Sequence, residues 1–178
     1  MKYFRKLIWY GATRLLIVCL VLGLLMTGFY LAMNASNIYI ILKDGMARRA
    51  QVVMQSSDEK ELSNYFSSSY LASDPALSIA RNGNSPYQLY YSITGFDHRL
   101  DMESVWCWPW EDTARATVRE SIPAIDGKLN AAGRENAEAM ALASTPPKWR
   151  TARYQVILTQ ENGHWHIKNM NLIEYLDE

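Results

Sequence analysis

Apolar residues crowd the first fifth of the chain and recur at regular steps through the rest. From Leu15 to Met33 the sequence reads LLIVCLVLGLLMTGFYLAM, a run without a charge. As a helix it is long enough to cross a hydrocarbon layer of about 30 Å. From Ser36 to Gln55 the pattern changes: Ile38, Ile41, Leu42, Met46, Ala50 and Val53 recur at three- and four-residue steps. That spacing predicts an amphipathic helix over residues 34–55, continuous with the span and forming the first helix of a domain. Ser56 and Glu59 fit a capping box for a second short helix with Leu62, Tyr65 and Phe66 on its apolar face. Beyond it, Asp74-Pro75 loosens the chain, and Asn82-Gly83-Asn84-Ser85 is turn chemistry.

The remainder alternates with period two, the mark of half-buried strands. Leu100, Met102, Ser104, Trp106, Trp108 and Trp110 share one face of an extended segment, with Asp101, Glu103, Val105 and Cys107 on the other. Pro109 ends or edges that strand. Ala114, Ala116, Val118, Glu120 and Ile122 form a second alternating set, and Tyr154, Val156 and Leu158 a third. Asn162-Gly163 predicts a tight hairpin into Trp165 and Ile167. Met170 and Leu172 resume out of phase, which places a bulge near Lys168 and Asn169. Residues 128–148, rich in Ala, Glu and Asn and closed by Pro146-Pro147, read as a short surface helix or as an insertion or loop. The class expected is α+β: an N-terminal transmembrane helix, then helices packed on a curved antiparallel sheet.

Composition adjusts this picture in three ways. Lys2, Arg5, Lys6 and Arg14 precede the span, so residues 1–14 are expected in the cytoplasm and residues 56–178 outside it in the cell membrane's far compartment. Lys43, Arg48 and Arg49 reduce that asymmetry. A cleaved signal peptide is the competing reading, but the run is long, and Tyr30 and Met33 stand where a cleavage site wants small residues. The 18 basic and 18 acidic residues cancel, without the basic cluster that nucleic-acid binding requires. Cys19 and Cys107 lie too far apart in kind and place to be expected as a disulfide, and Cys107, between two tryptophans, reads as a buried, inert thiol.

The stretch from Tyr154 through Glu161-Asn162-Gly163 to Trp165, Ile167 and Met170, after N-terminal helices and a sheet, resembles the closing hairpin of NTF2-like (cystatin-like roll) domains. The resemblance covers Ser36 onward. It implies that Trp165 packs into the cone between sheet and helices, with Ile167, Tyr154, Val156 and Leu158 in the core. Membrane-anchored versions of this fold resemble, in outline, scaffold components of bacterial conjugation and type IV secretion machines, and anchored proteins of unassigned function from spore-forming Gram-positive bacteria.

Candidate chemistry is sparse. Asp97, His98 and Arg99 before the Trp-rich strand and Glu111 with Asp112 after it form an acid–base group if the strand ends curl together; strand-end capping is the plainer reading. Trp106, Trp108 and Trp110 make an aromatic wall, either core or a ligand- or partner-docking face. Trp106 is the one expected in the core, and Trp108 and Trp110 are better placed for exposure. His164 and His166 share a strand face but lack two further metal ligands. No Ser-His-Asp set, phosphate loop or Cys-x-x-Cys occurs, so neither a catalytic set nor a cofactor is expected. The leading expectation is a non-enzymatic module that binds another envelope protein or a second copy, with membrane lipid around its first helix. The alternative is an anchored pocket domain that binds or converts a small ligand, using the tryptophan wall with Asp97, His98 and Glu111.

Overall fold

The charge-free run and the amphipathic stripe beyond it form one helix. In the computed structural model, which describes residues 2–176 and side chains from Trp9, α1 runs Lys2–Gln55 without a break. The side chains of Lys2, Arg5 and Lys6, three of the four basic residues behind the orientation reading, lie outside the described residues. At 1.5 Å per residue α1 is about 80 Å long. Among the described residues it is the one helix long and apolar enough to cross a membrane, and its apolar window is wholly uncovered by the rest of the chain. Its C-terminal half behaves oppositely: Ile38, Leu42, Met46, Ala50 and Val53 are buried in the core.

Ser56 does not start the next helix. It adopts the left-handed conformation (φ 55°) that terminates α1. The cap of the following 3-10 turn, Glu59–Asn64, is Asp58, whose carboxylate accepts from the Lys60 amide. Three short helices follow: α2 Ser68–Ser73, α3 Pro75–Arg81 and α4 Pro86–Tyr90. Asp74-Pro75, read as a loosening of the chain, is a helix start: Asp74 caps the Ala76 amide and Pro75 sits where no amide is needed.

Six strands complete the body: β1 Tyr91–Phe96, β2 Arg99–Cys107, β3 Thr113–Ser121, β4 Ile125–Leu129, β5 Ala152–Glu161 and β6 His164–Tyr175. β2-β3-β5-β6 form an antiparallel sheet, and β1 pairs with β4 in a separate ribbon. The 128–148 stretch is therefore not wholly an insertion. Lys128 and Leu129 close β4 opposite Ser92 and Tyr91, and helix α5 (Ala131–Glu135), capped by Asn130, follows at once. Asn162 and Gly163 both have positive φ, as the tight hairpin requires. Ile157 faces Asn169 and Leu158 faces Ile167, so Lys168 is the bulged residue.

The core lies between α1 and the inner face of the sheet. Val156, Leu158, Trp165 and Ile167 are buried there and Tyr154 partly so. Trp165 reaches α1, where its indole N–H donates to the Asn34 side-chain oxygen at 3.5 Å.

Candidate functional site

A cleft of about 520 Å³ opens where α1, α2 and α4 meet the far half of β5 and β6. Its floor is an ion pair. The Arg49 guanidinium donates two bonds to Asp74, Nε to Oδ2 at 2.5 Å and Nη2 to Oδ1 at 3.0 Å. Both residues are buried. Burial disfavours the charge on each, but the paired hydrogen bonds and mutual attraction outweigh it. Asp74 is held below the usual carboxylate value with help from the Ala76 amide, and Arg49 is raised. The walls are aromatic: Tyr70, Tyr87, Trp149, Tyr154 and Tyr175. Burial pushes the Tyr87 phenol up to about 12, and burial with the nearby Glu120 charge pushes Tyr154 up to about 12. These phenols stay protonated at neutral pH. At the rim stand Lys148 and Arg150, the latter 3.6 Å above the Tyr175 ring. Arg49 and Asp74 offset each other, and Lys148 brings a positive charge to the aromatic walls. Its volume is that of an ordinary ligand site, and its chemistry suits an anionic group attached to an apolar or aromatic body.

Of these residues only Tyr154 was expected in the core or a site; Arg49 entered the sequence reading as one of the charges after the span and Asp74 as a loosening of the chain. Arg49 sits one step off the apolar stripe of α1, and its partner is 25 residues away on another helix start. The Asp-Pro step at 74–75 was the usable signal, since it marks a capped helix entry.

The acid–base group, the less plain of the two readings of the strand ends, does not assemble. β2 and β3 are an antiparallel pair, with Arg99 opposite Ser121 and Cys107 opposite Ala114. Asp97-His98-Arg99 and Glu111-Asp112 therefore sit at opposite ends of a hairpin roughly 27 Å long. Asp97 instead accepts from Arg99 at the surface. His98 turns inward to Glu120, with Nε2 and Oε1 3.1 Å apart and both side chains buried. The second Glu120 oxygen has no hydrogen-bond partner among the described residues. This pair does not line the cleft.

The aromatic wall is also rearranged. The β2–β3 register slips at Glu103, between Met102 and Ser104, which reverses the faces beyond it. Cys107 points into the core, and Trp106, expected inside, is 63% exposed. Trp108 (41%) and Trp110 (79%) follow in the turn. The rings still contact each other: Trp106 and Trp108 meet edge-to-face at 5.4 Å, and Trp108 and Trp110 stack at 5.7 Å. Glu111 lies beside them, exposed. His164 and His166 flank buried Trp165, and His166 Nδ1 lies 3.2 Å from the His164 carbonyl. Among the described residues no group of three His, Cys, Asp or Glu is arranged to hold a metal.

Against protein-family models, curated proteins and solved structures alike, the chain has no match.

Proposed function

We propose that this chain is a single-pass membrane protein whose NTF2-like body, held outside the cytoplasm, binds an acidic, apolar segment of another envelope protein in its cleft. The observation that carries the reading is the unbroken α1. The same helix supplies a charge-free, uncovered span and, twenty residues later, the core-facing stripe of the body together with Arg49 on the cleft floor. A helix bare at one end and packed at the other fits an anchor better than a signal segment, which has no need to continue into a core. The basic residues before the span favour a cytoplasmic N-terminus. The NTF2-like assignment is supported by the element order, with a helix laid across a curved antiparallel sheet whose last hairpin buries Trp165. Membership of a secretion or sporulation assembly extends the same reading by analogy of architecture only.

The cleft lies toward the Gln55 end of α1, away from the span, where another protein can approach. Its rim continues onto exposed Leu172, Ile173 and Tyr175 of edge strand β6. An apolar edge beside a cationic cleft suits an extended peptide better than an isolated small anion. A photocrosslinking residue at position 172 in intact membranes is expected to capture one discrete protein, and Lys148→Glu is expected to abolish the adduct. The volume of the cleft and its paired floor favour a second reading, a small anionic ligand. That reading gains if no protein is captured while a soluble aromatic carboxylate raises the melting temperature saturably.

A further inference from the structure

The three exposed tryptophans stand at the end of the body from which the span emerges. A short chain of contacts fixes this. Trp165 donates to Asn34, one residue past the charge-free run. Trp165 pairs with Gln160 across the β5–β6 hairpin, and the Gln160 amide donates to the Asp112 carbonyl at 2.8 Å. Asp112 closes the turn that carries Trp108 and Trp110. The β2–β3 turn is thus level with the helix exit, whereas the Arg99 and Tyr175 ends of the strands lie toward Gln55. Span and body adjoin closely: Asn34, the residue after the charge-free run, is already buried.

We propose that Trp106, Trp108 and Trp110 dock the body onto the bilayer, inserting their indoles into the head-group region beside the span. This rests on the anchored reading above. The occupant follows from position, because a cluster level with the exit of a membrane helix meets lipid before it meets any other surface. It also follows from chemistry. An indole has an apolar body and one N–H donor, which is why tryptophan collects at membrane interfaces. Glu111 and Asp112 in the same turn are acidic, so the attraction is to the interface itself and not to anionic lipid, and it is insensitive to salt. The Glu103 bulge has a consequence here: by reversing the strand it brings Trp106 out to join the two turn residues.

The test uses the full chain in vesicles of zwitterionic lipid, with Trp9→Phe to remove the tryptophan at the other end of the span. Lipids brominated near the head-group end of their acyl chains are expected to quench the fluorescence strongly. A Trp106→Ser, Trp108→Ser, Trp110→Ser variant is expected to lose most of that quenching and the accompanying blue shift, while remaining membrane-integral. A photocrosslinker at position 110 is expected to yield lipid adducts. Quenching by aqueous iodide but not by brominated lipid, from a protein that resists alkaline extraction, overturns the docking and leaves the anchor intact. A protein adduct at position 110 overturns it in favour of a partner. Release of the chain into the soluble fraction without its first thirty residues overturns both readings.

Discussion

At the scale of single residues, the Arg49–Asp74 pair is where the body is most sensitive. Each partner is buried, so removing one leaves an uncompensated charge in the core. Arg49→Ala and Asp74→Ala are each expected to cost about 3–5 kcal/mol in urea unfolding, and a double-mutant cycle should show strong coupling. The pair also sets an acid limit. Asp74 has a lowered pKa, so its contribution is fully present above the unfolded carboxylate value of about 4 and disappears as pH falls through the lower folded value. Melting temperatures measured from pH 6 downward should therefore drop below about pH 4, and Asp74→Asn should flatten that part of the decline. Cys107 gives a separate check. Burial, then the Glu111 charge, pushes its thiol up, so in a Cys19→Ser background maleimide should label it only once denaturant opens the core. The burial was expected from its tryptophan neighbours, but its cause is the Glu103 bulge, which turns Cys107 inward and those tryptophans outward. The Arg49–Asp74 pair was not legible, because a charge beside an apolar stripe looks the same whether it faces solvent or a carboxylate on a distant segment.

At the scale of elements, the period-two and heptad-like patterns located the long helix, the β3 strand and the closing hairpin, since in each the buried face repeats without interruption. They failed where a register slip intervenes. The bulge at Glu103 has a visible partner: Arg153, two strands away on β5, bonds Glu103 at 2.7 Å and Glu174 at 3.2 Å across the outer face of the sheet. No local pattern announces such a contact. β1 and β4 were missed because a five- or six-residue ribbon interrupted by Gly95 and Gly127 has little periodicity to read. Gly45, in the middle of α1, has a packing reason. A Cβ there would stand 2.9 Å from Tyr65 Cβ and 3.3 Å from Ile167 Cδ1. Gly45→Ala gains up to about 1 kcal/mol of helix propensity but forces the 3-10 turn away from α1. The net effect expected is a destabilisation of roughly 1–2 kcal/mol, read by chemical denaturation.

At the scale of the whole molecule, the continuity of α1 joins the apolar segment to the body without a break. Ala35→Pro is expected to break that coupling, since proline inside a helix removes a bond and clashes with the preceding turn, at about 3 kcal/mol. A spin label at position 172 should then show broadened distances to one at position 20, with the melting of the body changed far less than its orientation. The unbroken helix carries a further consequence for an anchored chain. A hydrophobic segment longer than its bilayer leans, and it straightens as the lipid thickens. Without a hinge, that lean swings the cleft in an arc, so the thickness of the surrounding lipid selects the height and heading at which the cleft is offered to its surroundings.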